Sequence, residues 1–346
     1  LLGVKTAFCS LLMCMLLLFQ VQAKESQHQI GSLIMAGLDT TVLSEDFKSL
    51  VRDDHIGGVV LVGRFWNAAR VAKMTKELRS LRDTPLLIAI DQEGGRVSRV
   101  KGPRLDYPSA EQMAKNADYD QLFHYGYAVG QQLAGLGIDI NLAPVLDLRL
   151  EPKNKVIADR SFGSDPFAVA QFGRAYSRGL LKANVLPVQK HYPGHGRTVL
   201  DSHTALPRLS IPYQLFEEND LVPFFDAISN NMPIIMTAHV VVAGVDERYP
   251  TTLSRAHLTD KLRNEYGFKG VIMSDDMSMR AISTRWSLQT ACIKAFNAGV
   301  DMVLVVETPE RIKQLISHLD FARVAGQLNR EELSKHFDRV NQLHSR

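Results

Sequence analysis

Cysteine is scarce in these 346 residues: there are 3, and Cys9 and Cys14 fall within the opening stretch. Beyond it only Cys292 remains. No intramolecular disulfide can brace the rest of the chain, and a lone cysteine in an apolar helical run reads as core. A charge of predominantly one sign is also missing. The 40 basic and 37 acidic residues leave a net +3, too balanced for the broad cationic surface that holds nucleic acid. Low-complexity runs, Ser/Gly linkers and breaks in composition are absent, which argues against disorder and against two tethered domains. What is there is ordinary globular material, 45% hydrophobic, 22% charged and 8% aromatic, in a chain long enough for one substantial core.

Long apolar runs are missing too, with one exception. Residues 11–19 are almost wholly apolar, Lys5 is the only charge in the first 23 residues, and Val21, Gln22 and Ala23 sit where a signal peptidase would cut. The run falls short of the about 20 residues of a membrane span. This pattern predicts a signal peptide over 1–23 and export to the periplasm or beyond. The mature domain, 24–346, is then expected to be soluble and monomeric, with no stable membrane insertion. A buried or anchoring N-terminal helix is the alternative.

From residue 31 onward, short apolar runs alternate with longer amphipathic ones. Strands are predicted over 31–37, 57–63, 86–91, 138–144, 185–191, 233–239, 270–275 and 301–306. Near-continuous apolar strands suit a sheet covered on both faces. Helical spacing marks 47–52, 69–81, 119–136, 168–183, 215–229, 258–266, 288–298 and 310–319, with one amphipathic closing helix over 325–346. Eight β–α units predict a single-domain α/β fold, the (β/α)8 barrel. A doubly wound open sheet is the rival, but it would use a glycine-rich first turn that this chain does not supply.

Polar residues gather where these strands end. Asp91 to Arg96 follow the third, Asn141 and Asp147 flank the end of the fourth, Lys190 and His191 close the fifth, His239 the sixth, and Asp275 and Asp276 the seventh. In a barrel those ends share one rim, where active sites sit. The segment from Lys190 to His203 carries His191, His195 and His203 on a loop that Pro193, Gly194 and Gly196 turn sharply. Asp201 and His203, two apart, face the same way in an extended segment. There the carboxylate favours the charged imidazole, as a proton donor near neutral pH requires. Asp275, on a rigid apolar strand, suits a carboxylate nucleophile. Asp276 should point to the other face and cap the next helix or pair behind the site.

These segments resemble the β-N-acetylglucosaminidase branch of glycoside hydrolase family 3. The loop matches that branch's Lys-His-Phe/Ile-Pro-Gly-His-Gly, four residues, Asp-Ser/Thr-His, with Tyr192 in the aromatic or aliphatic slot. The stretch from Asp91 to Arg99 is similar to its Asp-His-Glu-Gly-Gly-Arg-Val-x-Arg, with Gln92 in place of His. The stretches from Arg160 to Pro166 and from Ser274 to Met277 are also similar to family segments. The resemblance runs from about residue 30 to 310. It implies a (β/α)8 barrel that hydrolyses terminal, non-reducing β-linked N-acetylglucosamine with retention, without a cofactor or metal. Asp275 would be the nucleophile and His203 the acid/base, assisted by Asp201. Asp91, Arg99, Arg160, Lys190 and His191 would bind the sugar. The substrate would come from peptidoglycan or chitin fragments, and phosphate could replace water as acceptor. Gln92 leaves open a change in the sugar pocket or behind it. Two other readings remain: a metal-dependent hydrolase built on His191, His195, His203, His239 and Asp275, and a barrel that binds amino sugars without cleaving them.

Overall fold

Each predicted apolar run becomes a strand. The structure is a computed structural model that describes residues 29–63, 66–102 and 105–344; the proposed signal over 1–23 lies outside them. The barrel strands are β1 Ile34–Leu38, β2 Gly58–Leu61, β3 Leu87–Ile90, β4 Ile140–Asn141, β5 Leu186–Tyr192, β6 Ile234–Thr237, β7 Val271–Asp276 and β8 Met302–Val305. They pair in parallel in chain order, and β8 closes onto β1 with Ile34 opposite Val303. This is the predicted (β/α)8 barrel. Every residue of β1 to β6 and of β8 is buried; only Asp275 and Asp276, at the end of β7, are partly open.

The long helices are α1 Glu45–Arg52, α2 Ala68–Arg79, α3 Tyr119–Gly135, α4 Pro166–Lys182, α5 Val222–Ser229, α6 Ala256–Glu265, α7 Leu288–Ala298, α8 Pro309–Val324 and α9 Arg330–Leu343. Their starts follow from local chemistry. Ser44, Asn67, Asp165, Ser287 and Thr308 accept first-turn N–H groups, and Asp118 with Gln121 forms a reciprocal capping box. Among the described residues, no helix is long and apolar enough to cross a membrane.

Two predicted helices need correction. The one expected over 215–229 is two, Tyr213–Glu218 and α5, because Pro223 has no N–H to donate and suits only a helix's first turn. The closing helix expected over 325–346 is α9 alone. Its start is set by Asn329, whose side chain accepts from the N–H groups of Glu331 and Glu332. Gly326, at φ 75°, turns the chain after α8.

The two barrel rims are built differently. At the lower rim an aspartate precedes a strand and reaches sideways. Asp139, before β4, accepts from Ile88 N of β3 at 2.8 Å. Asp301, before β8, accepts from Ile272 N of β7 at 2.7 Å. At the upper rim the ladders are irregular. Lys190 and Tyr192 of β5 oppose the consecutive Met236 and Thr237 of β6, and Met273 and Asp276 of β7 oppose Met302 and Leu304 of β8. Each of β5 and β7 therefore holds one extra residue near its C-terminal end. Such bulges re-aim side chains, and here they fall at His191 and beside Asp275.

Candidate active site

The upper rim opens into a cavity of about 670 Å³. The eight residues to which the resemblance gives catalytic or sugar-binding roles line it: Asp91, Arg99, Arg160, Lys190, His191, Asp201, His203 and Asp275.

Asp275 sits at the bulged end of β7, and its Oδ1 accepts from Asp276 N at 2.8 Å. Burial pushes its carboxyl up. The nearby imidazole of His191, then that of His239, the Asp276 N–H and His203 outweigh it, so the group lies below the usual carboxylate range. It is an ionised, backbone-aimed carboxylate at neutral pH. Asp276 does not cap a helix. It accepts from Ser278 N, Ser278 Oγ and Val306 N, tying the end of β7 to the residue after β8.

The same cavity holds a knot of five charges. The Lys190 ammonium, 2% exposed, is 3.0 Å from Asp91 Oδ1 and 2.7 Å from Glu93 Oε1. Arg160 clasps Glu93 with two bonds of 2.8 Å, and Arg99 reaches Asp91 Oδ2 at 3.2 Å. Burial opposes the charged forms of Asp91 and Glu93, and the cations around them more than compensate, holding both carboxyls low. Glu93 was not singled out in the sequence, although it stands two residues from Asp91 in the same motif. Gln92 does not line the cavity. It is buried behind it, with Nε2 donating to Val100 O and Leu105 O and Oε1 accepting from Val100 N, and so holds the hairpin that presents Asp91.

The histidine loop has a buried organiser, Asp147, which the sequence marked only as polar. Its Oδ2 bonds His191 Nδ1 at 2.6 Å, and its Oδ1 accepts from His195 N at 2.6 Å. His195 is a staple inside the loop: Nδ1 meets Thr198 Oγ1 at 2.8 Å and Nε2 meets Ser202 Oγ at 3.1 Å. Burial pushes its pKa down. His203 differs, with a side chain two-thirds exposed (66%). The Asp201–His203 pair forms, but not through the predicted extended segment. Asp201 Oδ1 accepts both His203 N and His203 Nδ1 at 2.8 Å, in a tight turn that Thr204 N closes onto Asp201 O. A carboxylate only accepts, so Nδ1 carries a proton and Nε2 is left to face the cavity. Asp201 is in turn held below its ordinary pKa, since the two His203 bonds outweigh partial burial.

His239 is buried, with Nδ1 on Thr252 Oγ1 at 2.8 Å and Nε2 on Asp276 O at 3.0 Å. Its ring supports the β7 end from below. Among the described residues no group of three or more His, Cys, Asp or Glu is placed to hold a metal ion. The arrangement can deliver a fixed anionic carboxylate and an exposed imidazole to one cavity, with a charged, hydrogen-bonding wall beside them.

Known proteins resemble the chain over nearly its whole length. Residues 25–343 match the glycosyl hydrolase family 3 N terminal domain. A beta-hexosaminidase of Alkalilimnicola ehrlichii is 37% identical over 297 residues, 84% of each chain. The beta-hexosaminidase A of Pseudoalteromonas piscicida is 33% identical over 94% of this chain and 58% of its own length. Among solved structures, a family 3 beta-N-acetylglucosaminidase from Paenibacillus sp. superposes with a TM-score of 0.89 at 34% identity, covering 92% of this chain and 62% of the other. A beta-N-acetylhexosaminidase from Beutenbergia cavernae gives 0.87 at 28% identity, covering 93% and 98%.

Proposed function

The chain belongs to glycosyl hydrolase family 3, and on that premise we propose that it is a retaining exo-β-N-acetylglucosaminidase. The observation that carries the reading is one cavity lined by both the Asp275 carboxylate and the Asp201–His203 pair. The relatives' names supply the sugar.

Asp275 attacks the anomeric carbon. The glycosidic C–O bond breaks, its electron pair stays on the aglycone oxygen, and His203 protonates that oxygen from Nε2. The glycosyl ester on Asp275 is then cleaved by water, from which the neutral His203 takes a proton. Two inversions at one carbon give net retention. Retaining glycosidases commonly use two carboxyl groups. An imidazole on a loop avoids placing a second anion beside Asp275, and Asp201 stabilises its charged form. Asp91, with Arg99, Lys190 and Arg160 around it, offers acceptors and donors to the sugar hydroxyls, while His191 donates or accepts through Nε2.

A 5-fluoro N-acetylglucosaminyl fluoride, which forms the ester faster than it releases it, tests the assignment. Peptide mass mapping should find the sugar on the peptide containing Asp275; a label on another residue refutes it. A panel of aryl β-N-acetylglucosaminide, glucoside and xyloside tests the sugar, and the first should be strongly preferred. The N-terminal pattern further suggests export, where the substrate would be wall- or chitin-derived fragments. N-terminal sequencing of protein recovered outside the cytoplasm should then begin near Lys24.

A further inference from the structure

The loop that carries His203 is fixed at its root and open at its tip. On one side of the root, His195 N donates to Asp147 Oδ1, and Asn154 Nδ2 donates to His195 O at 2.9 Å. Gly196 lies so close to the chain that a Cβ there would sit 1.6 Å from Leu148 O. The other side of the root is held by Arg197, whose Nε donates to Asp220 Oδ2 at 2.8 Å, and the far end of the loop is tied beside His203, where Ser202 O accepts from Ala281 N at 3.2 Å. Gly194 packs on the same aspartate, at φ 137° and with room for a Cβ only 3.3 Å from Asp220 Cβ. Beyond the root, Val199 and Leu200 are exposed, and His203 stands out beside them.

Asp220 is an expensive residue to place there. It is 2% exposed, in the break between the helix Tyr213–Glu218 and α5. Its Oδ1 is buried with no hydrogen-bond partner among the described residues. A carboxylate buried with one oxygen unsatisfied costs stability that an apolar residue would not. The Arg197 contact is the return on that cost, and it lies one position before Thr198, where the His195 staple begins.

We propose that Arg197 and Asp220 form a positioning pair that sets the root of the His203 loop, so that the imidazole comes to the same place over Asp275 on each turnover. The proposal rests on His203 being the acid/base. Neither member touches substrate; both act through the loop. Losing the pair should harm proton delivery and leave sugar binding and the Asp275 attack alone.

The test compares Arg197→Ala and Asp220→Asn with the unaltered enzyme on two substrates, an N-acetylglucosaminide with a poor alkoxide leaving group and a dinitrophenyl N-acetylglucosaminide that needs little protonation. The expected result is a fall in kcat/KM, which reports the glycosylation step, of about tenfold or more on the poor leaving group and of less than about twofold on the activated one. Arg197→Lys should restore part of the loss. Limited proteolysis should cut the variants faster at Val199–Leu200. Equal loss on both substrates, tracking a lower Tm, overturns the proposal in favour of a merely structural pair. Unchanged kcat/KM on both overturns it as well. His203→Ala, run alongside, separates the premises: if it too shows no leaving-group dependence, the acid/base assignment itself fails and takes this proposal with it.

Discussion

At the lower rim of the barrel, Asp301 is wholly buried and each of its oxygens is shared. Oδ1 takes His336 Nδ1 at 2.7 Å and Arg339 Nη1 at 2.8 Å, and Oδ2 takes Ile272 N at 2.7 Å together with Arg263. At the upper rim, Glu93 and Lys190 are also buried, Asp91 and Arg160 are half-buried, and all four are paired, but Asp91, Lys190 and Arg160 keep one face on the cavity. Both clusters overcome the cost of burying ions by mutual attraction and hydrogen bonds. The lower one directs its bonds to the protein, joining α6 and α9 to the strands, and the one donor it leaves over, Arg263 Nε, is buried away from any cavity. The upper one holds capacity back for a ligand. Burial and pairing alone therefore do not mark a binding site; unspent donors and acceptors at a cavity do.

That contrast can be broken experimentally. The largest effect should come from Asp275→Ala, which removes the nucleophile: kcat should fall on the order of 10⁴-fold, while calorimetry shows sugar binding largely intact. Near-normal turnover would end the assignment. His203→Ala should lower kcat/KM on poor leaving groups by about 10²–10⁴-fold and partly spare that of activated aryl glycosides. Parallel loss on both classes would mean that His203 is not the acid. Asp301→Ala should do the converse, costing about 3–5 kcal/mol of stability in urea unfolding because it strands Arg263 and His336, while kcat per folded molecule stays close to normal. A kcat that falls with an unchanged unfolding midpoint would erase the distinction between the rims.

The smallest effect sharpens the comparison through pH. Burial raises the Asp301 carboxyl, and Arg263, His336 and Arg339 lower it further, so its folded pKa is below the unfolded one. The unfolded state then binds more protons in this range. The stabilisation is present above the unfolded value of about 3.9 and is lost as pH falls through the folded value. Asp301→Asn should flatten the acid side of the stability profile below about pH 4, and an acid limb as steep as in the unaltered protein would show that another group sets it.

Much of this was legible in the chain. All eight strands stand where apolar runs between helical stretches put them, because strands covered on both faces are apolar except where a polar side chain finds a partner. The strand-end charges announced the rim, because ionisable groups beside apolar runs are costly unless used. Other features were hidden. Nothing in the spacing of Asp201 and His203 distinguishes an extended pair from the turn that forms, since both bring the two side chains together. The partners of Asp147, Glu93 and Asp220, 44, 67 and 23 residues distant in the chain, cannot be read from local spacing. Gln92, whose place in the pocket or behind it the sequence left open, is the support behind it.

The amino-acid order alone determined the barrel, its register of eight units and the residue types on its working rim, because periodicity and local capping act over a few residues. Only the folded molecule decided which charges satisfy one another and which remain free, because that depends on which distant segments meet, and on two extra residues in β5 and β7 that turn His191 and Asp275 toward a common space.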